Sequence, residues 1–488
     1  MKKKVVIIGA GPAGLTAGYE LLKRAGDAYD VIILEQDALV GGISKTVCCN
    51  GFHMDLGGHR LFSKSEDAVT WWKQVLPAEE LLTVARSSKI LYRGKLLDYP
   101  LTISKQTVSG LGIKEGTMII ASYLKSQGQK VDESTLEGFY KGRFGKRLYE
   151  LFFRDYTEKV WGRDPAEMPA DWGRQRVKGL SMAHAIAHAV PPLRRLVHED
   201  SLTSSFYYPR YGIGQLWEQT AQQIRAMGGQ ILLGEQVSSV EISGGKARKV
   251  MCRSGKSFHS DYLISSMPLH DLIEGIDAAP DDVSAVGKSL RYRALVVVGI
   301  VVRKTDIEGV VFDRGNRSSD QWLYVQDSRV KMGRIQIMDN WSPFLNGVGH
   351  DYLCLSMEYF CQEGDSDWLT PDDGWLEQAR KELAQLHILR PGSSLMGGQV
   401  YRVGKAYPCY WDGYFNLETI REYLNTIDNL LIIGRNGQHR YNNMDHSMMT
   451  GFRAVDCLLG RGSKSSVWDV NSEKEYHEAQ GNELRLRG

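Results

Sequence analysis

No stretch of the chain is apolar for long enough to cross a bilayer. The longest apolar run, Ala294 to Val302, has nine residues, where a spanning helix needs about 20. Cysteine is scarce and odd in number. The seven stand at 48, 49, 252, 354, 361, 409 and 457, too scattered for a disulfide framework, so a reduced, cytoplasmic chain is expected. Cys48, Cys49, His53 and His59 lie near one another, but their spacing fits no zinc pattern and no metal is expected. Charge of one sign is also lacking. Lys and Arg number 60 against 58 Asp and Glu, a net +2, which excludes the broad positive field of a general nucleic-acid binder. Repeats and low-complexity tracts are missing as well.

What is present is an ordinary globular composition, 42% hydrophobic and 24% charged over 488 residues. That excludes disorder as the main state and is too much chain for one core, so two or three domains are expected. The N-terminal Met-Lys-Lys-Lys before an apolar run imitates a leader. The run is short and stops at a glycine turn, so it predicts a buried strand instead.

That strand, residues 4–8, is followed by Gly9-Ala-Gly-Pro-Ala-Gly14, a helical pattern to about Arg24, and a second strand, Val31 to Leu34, ending at Glu35. Gly9, Gly11 and Gly14 supply the tight turn, the close approach to a pyrophosphate and the helix–strand packing. A pyrophosphate would meet the free N–H groups of the helix N-terminus. Glu35 stands where a carboxylate binds ribose hydroxyls. Dinucleotide binding follows from this unit.

Further on, Ser63 to Glu66 and Ser134 to Glu137 read as capping boxes. Residues 103–195 are mainly helical in pattern. Strands are expected at 230–233, 238–242 and 262–266, and an antiparallel sheet at 293–303, 320–326, 333–341 and 351–361. Helices at 373–388 and 445–459 and a buried strand Asn429 to Gly434 complete the pattern. The polar tail 463–488 is expected to be mobile or to lie along the surface. A strand-turn-helix at each end of the chain implies a nucleotide domain assembled from separated segments.

The stretch Glu35-Gln-Asp-Ala-Leu-Val-Gly-Gly-Ile-Ser44 resembles the FAD signature of the amine oxidase and protoporphyrinogen oxidase superfamily, and Gly51 to His59 resembles its next element. The resemblance implies an α/β fold: a Rossmann-type FAD-binding domain from separated segments, an inserted helical domain and an antiparallel β-sheet substrate domain. The boundaries expected are 1–85, 205–290 and 401–462 for the FAD domain, 86–102 for strands of the sheet domain, 103–204 for the helical domain, 291–400 for the sheet domain and 463–488 for the tail. Gly9, Gly11, Ala13, Gly14, Glu35, Gly42, Ser44, Gly58, His59, Gly434, Arg435, Met444, Asp445 and Ser447 are the implied FAD contacts. The FAD is expected to be noncovalent, since no His or Cys sits in a covalent attachment motif. The helix after Asp445 would point its N-terminus at the flavin pyrimidine and stabilise the reduced anion.

Within that superfamily the chain resembles the UDP-galactopyranose mutases, from Val5 to Gly460. The stretches that carry this are Gly57-Gly-His-Arg-Leu-Phe-Ser63, Tyr156-Thr-Glu-Lys-Val-Trp-Gly162, Trp341-Ser-Pro343 after Arg334, and Gly434-Arg-Asn-Gly-Gln-His-Arg-Tyr441 with Asp445-His-Ser447. The resemblance implies a nucleotide-sugar substrate whose pyranose and furanose forms interconvert through a reduced-flavin N5–sugar adduct, with no net redox change. It assigns Arg176 and Arg334 to the diphosphate, as always-charged bidentate groups. Tyr324, Tyr407 and Tyr441 go to the phosphates, Tyr156, Thr157 and Trp161 to the nucleoside, and His59 to the flavin with its backbone near N5. Catalytic roles fall to His59, Arg176 and Arg334. Truncating either arginine is expected to leave the fold intact, on the reading that a solvent-lined site tolerates it. Arg86, Ser88, Tyr99 and Arg435 match positions that would contact the reductant, NADPH or NADH. Tyr99-Pro100 is followed by Leu101-Thr102 in place of the Phe-Gln that holds uracil in eukaryotic mutases, which leaves the base open. A homodimer is one open oligomeric state. The alternative activity is an oxidase or desaturase of the same superfamily.

Overall fold

The computed structural model describes residues 2–99, 101, 107, 110–128, 130–176, 204–277, 279–308, 312–313, 316–317 and 319–471, with the backbone alone at 175–176 and 312–317. A five-stranded parallel sheet runs in the order Leu430–Ile432, Tyr262–Ser265, Lys3–Ile8, Tyr29–Glu35, Gln230–Leu233. Its strands come from both ends and the middle of the chain. Helix Pro12–Ala25 follows the first strand and crosses helix Met444–Leu458 so closely that a Cβ on Gly451 would lie 2.7 Å from the Ala13 carbonyl oxygen. A central parallel strand is buried on both faces, which is why Val5 to Ile8 is apolar without alternation.

The second sheet has seven strands in the order Gly397–Pro408, Tyr292–Arg303, Tyr352–Cys361, Arg334–Ile337, Trp322–Val325, Ser88–Tyr92, Lys95–Asp98. The nine-residue apolar run lies inside its strand Tyr292–Arg303, which is covered on both sides. The sheet differs from the expected one in two respects. Trp322–Val325 pairs with Ser88–Tyr92 in parallel, because the latter arrives from the N-terminal segment and not through a hairpin. The strand Gly397–Pro408 carries the sheet past residue 400. One face packs on helix Asp372–Gln385. The other faces the helices Leu136–Phe144, Lys146–Phe152 and Arg154–Trp161. No helix among the described residues is long and apolar enough to cross a membrane.

Three local expectations are corrected. The cap of helix Glu66–Val75 is Ser65, which accepts from the Ala68 amide at 3.3 Å, and Ser63 is engaged elsewhere. The cap of helix Leu136–Phe144 is Thr135, not Ser134. The start of the tail does not lie along the surface. Helix Lys464–Trp468 buries Val467 and Trp468 at 1% and 3% exposure, and Arg440 donates to the Trp468 and Val470 carbonyls at 2.6 and 2.7 Å. The remainder of the tail, and of the helical stretch up to 195, lies outside the described residues.

Asp55 joins three of these pieces. Its carboxylate accepts from the Thr46 hydroxyl at 2.5 Å, the Tyr208 hydroxyl at 2.6 Å and the Ile213 amide at 3.2 Å, at the mouth of helix Gly214–Ala226. Burial nevertheless pushes its pKa up to about 6. The unfolded value is about 3.9, so between the two the folded chain holds a proton that the unfolded chain has released. Stability from this group is therefore full below about pH 4 and is lost as pH rises through about 6. Asp55→Asn is expected to be less stable at pH 4 and to have a flatter pH–stability profile between pH 4 and 6. Denaturant unfolding at both values checks this; an unchanged wild-type slope in the variant contradicts it.

Candidate active site

The glycine loop is built as a cradle. Gly9 has φ +97°, a conformation other residues avoid, and a Cβ on Gly14 would lie 1.9 Å from the Gly9 carbonyl oxygen, so the helix can only seat on the strand without a side chain there. Gly11 differs. A Cβ on it would meet nothing nearer than the Gly42 Cα at 3.8 Å, so the two glycines hold open a gap of backbone on backbone. Gly11 caps the helix with no side chain, and the first turn has no acidic residue, which leaves its N–H groups to an anion. Glu35 accepts from the Ala10 amide at 2.7 Å and the Asp37 amide at 2.9 Å. Burial raises its pKa against these bonds. Ala13 faces Gly434, where a Cβ would come within 3.1 Å, and Ser44 is buried under Gly41. The residues present fit the pyrophosphate of a dinucleotide.

The turn Gly57-Gly58-His59 rests directly on the seven-stranded sheet. A Cβ on Gly58 would penetrate the Trp322 ring, and one on Gly57 would lie 3.8 Å from Glu358 Oε1. Ser63, a few residues on, donates to Asp445 Oδ2 at 2.7 Å and so ties this turn to the helix Met444–Leu458. Ser447 is buried in its first turn behind Met444 and Asp445. The His59 ring nitrogen Nδ1 lies 3.1 Å from the Gly57 carbonyl. Burial, and then the Arg435 cation, push its pKa to about 4, so the imidazole is neutral at pH 7.

Strand register sets the next layer. Tyr324 pairs with Arg334 and Arg334 with Glu358, so the three stand in one row across the sheet, one pleat beyond Trp322 and Gln336. Arg334 donates from Nε to the Tyr156 hydroxyl at 2.9 Å and from Nη1 to Glu358 Oε2 at 2.9 Å and the Tyr407 hydroxyl at 3.4 Å. Burial alone would lower its pKa; Tyr156, Glu358 and the neighbouring tyrosines hold it well above the usual value. Tyr407 and Tyr441 stack at 5.4 Å, with the Arg435 guanidinium 4.9 Å from the Tyr441 ring. Trp161 meets both tyrosines edge-on at 6.3 Å and Trp172 at 5.3 Å. Tyr156, Trp161, Tyr324, Arg334, Tyr407 and Tyr441 thus converge; Thr157 is buried on the same helix as Tyr156.

That helix, Arg154–Trp161, is held at its C-terminal turn. Arg293 donates to the Val160 carbonyl at 2.9 Å and the Lys159 carbonyl at 3.4 Å, a cation on the helix C-terminus. Lys159 donates to the carbonyls of Val325, Asp327 and Met332 at 3.4, 2.9 and 3.1 Å, and burial pushes its pKa down to about 8. Neither residue was among the sequence candidates, although Lys159 lies inside the motif.

The reductant candidates divide. Ser88 is buried, accepts from Arg60 Nη2 at 2.9 Å and reaches Trp322 through strand pairing, while Tyr99, just past the strand Lys95–Asp98, lies on Tyr324 with centroids 4.3 Å apart. Arg86 sits at the end of a neighbouring strand, with its amide donating to the Ser204 carbonyl. Arg435 belongs to the opposite wall, donating to the carbonyls of Asn442 and Ala406 at 2.8 and 3.2 Å. Arg176 closes helix Asp171–Arg176, one turn after Trp172; its side chain lies outside the description.

One expectation fails here. Arg334 does not line solvent: its side chain is 15% exposed and its partner Glu358 is 0% exposed. Truncating it would strand a buried carboxylate, so a loss of stability is expected from that change. Glu358 itself was missed. The signal was available, since Ser356 and Glu358 interrupt an otherwise apolar strand at the two-residue period of one face.

The model of the flavin containing amine oxidoreductases matches residues 12–396. A protein named "Probable UDP-galactopyranose mutase" from Klebsiella pneumoniae is 27% identical over 173 residues, 34% of this chain and 43% of its own length. A 4,4'-diapophytoene desaturase from Methylomonas sp is 25% identical over 278 residues, 54% of this chain and 53% of its own. The mitochondrial protoporphyrinogen oxidase of Nicotiana tabacum is 24% identical over 205 residues, 39% and 40%. The matched stretches thus span about half or less of these relatives. A crystal structure of reduced UDP-galactopyranose mutase superposes with a TM-score of 0.81 at 22% identity, covering 98% of this chain and 100% of the other. That likeness shows the fold. The family match covers well over half of the chain, and the chain belongs to the flavin containing amine oxidoreductases.

Proposed function

We propose that this protein is an FAD-dependent nucleotide-sugar mutase that interconverts pyranose and furanose forms with no net redox change. The observation that carries the reading is the Arg334 guanidinium, ringed by Tyr156 and Tyr407 and backed by buried Glu358, in the sheet row next to the Gly57–His59 turn. An oxidase for an apolar substrate has no use for such a group. When bound and reduced, the flavin supplies the nucleophile, N5, for the anomeric carbon.

The protein supplies the rest. Arg334 stays charged at every working pH and would neutralise a departing diphosphate, with Arg176 as the second cation. Burial raises the pKa of Tyr156 and Tyr407, so both remain phenols able to donate hydrogen bonds to phosphate oxygens. Neutral His59 adds no competing charge beside the flavin. The stacked Tyr407 and Tyr441, with Arg435 above them, form the wall against which the sugar turns over. Gly9, Gly11, Gly14, Gly42 and Glu35 would hold the dinucleotide noncovalently. NADPH or NADH would reduce it from the side of Ser88 and Tyr99.

The test is chromatographic. Reduced protein incubated anaerobically with a panel of nucleotide sugars is expected to give a new ring-form isomer of one of them, and denaturation is expected to release all of the flavin. Oxygen consumption with an amine, porphyrinogen or polyene, and no isomer from any nucleotide sugar, would instead make it an oxidase or desaturase.

A further inference from the structure

We infer that the nucleoside end of the substrate carries an amino-bearing base, cytosine or guanine, seated in a cleft beside Tyr156; this rests on the nucleotide-sugar reading above. The cleft has a volume of about 1040 Å³, at the upper end of what small-molecule sites occupy, about 300–1,000 Å³. Tyr156 is one of its walls, and the hydroxyl of the same residue is bound to Arg334 Nε at 2.9 Å. The cleft and the guanidinium are therefore neighbours across one side chain.

Their order along the sheet is also set. Trp322 lies under Gly58, Tyr324 stands in the Arg334 row, and Val325, Gln326 and the turn after them line the cleft. Trp322 to Gln326 is about 13 Å of strand, a distance that a sugar, a diphosphate and a pentose bridge. A ligand with its sugar at the Gly57–His59 turn and its phosphates on Arg334 places its base here.

The walls decide which base. The cations are mostly spent: Lys159 on three carbonyls and Arg329 on Asp327 at 2.6 Å. Arg93 also lines the cleft. Gln326 uses its amide nitrogen on the Phe152 carbonyl at 2.7 Å, which leaves its oxygen as an acceptor. Asp155 borders the cleft beside Tyr156, exposed, with no hydrogen bond or ion pair among the described residues. Glu150 and Glu158 also border it, paired with Lys146 and Arg154 at 3.7 and 3.2 Å. The acceptors left over, Asp155 and the Gln326 oxygen, want hydrogen-bond donors. Uracil presents two carbonyl acceptors around one N–H. Cytosine presents an amine, and guanine an amine beside a ring N–H that one carboxylate accepts as a pair.

The experiment titrates the oxidised, flavin-loaded protein with UDP, CDP and GDP by calorimetry. CDP or GDP is expected to bind at least about tenfold more tightly than UDP, the order of discrimination that one good base contact gives. In Asp155→Ala that gap is expected to shrink to within about threefold, while UDP affinity holds. UDP binding as tightly as the others, or an undiminished gap in Asp155→Ala, overturns the inference and leaves the mutase reading standing. No binding of any of the three removes the nucleotide-sugar reading itself, and the inference with it.

Discussion

Arg334→Ala is expected to lower turnover by about two to four orders of magnitude, the range for losing a fixed group that meets developing charge. It is expected to lower stability as well, by about 3–5 kcal/mol, because Glu358 is then left in a buried site without its cation. The two losses separate in the double variant Arg334→Ala, Glu358→Gln. There the buried carboxylate is gone, so most of the stability should return while turnover stays low. Turnover that recovers along with stability would mean that Arg334 serves the fold and not the reaction. A double variant as unstable as the single one would mean that Glu358 is not what the arginine compensates.

The second large effect separates two glycines of one motif. Gly11→Ala is expected to give a folded but colourless protein. Its Cβ has 3.8 Å of clearance to Gly42 within the chain, but it fills the gap where a pyrophosphate must touch backbone. Gly14→Ala is expected to fail earlier, at the level of soluble expression, since its Cβ would lie 1.9 Å from the Gly9 carbonyl and push the helix off the sheet. The flavin absorbance and circular dichroism of the purified variants check both. Full flavin occupancy in Gly11→Ala contradicts the cradle.

The parts legible in the sequence were those written locally. Gly9 to Glu35 is one continuous strand-turn-helix-strand, so spacing alone identified it, and motif matches placed Tyr156, Arg334, Tyr407 and Tyr441 in one site before any pairing was known. Pairing is what the sequence hides. Ser88 meets Trp322 through a parallel pairing, and Tyr99 meets Tyr324 ring to ring, each between residues more than 220 positions apart, which no local period announces. Ser356 and Glu358 mark one face of their strand in the sequence, but only the register shows that Glu358 stands opposite Arg334. The tail misled through its polarity. Among its described residues Val467 and Trp468 are buried, and these two side chains dock its start.

The central claim is that the flavin acts as a nucleophile and is returned unchanged. The most direct measurement reduces the protein once, excludes oxygen, adds the nucleotide sugar and counts product per reducing equivalent. The account predicts many products per equivalent and none from the oxidised protein. One product per equivalent, or full activity in the oxidised form, would contradict it.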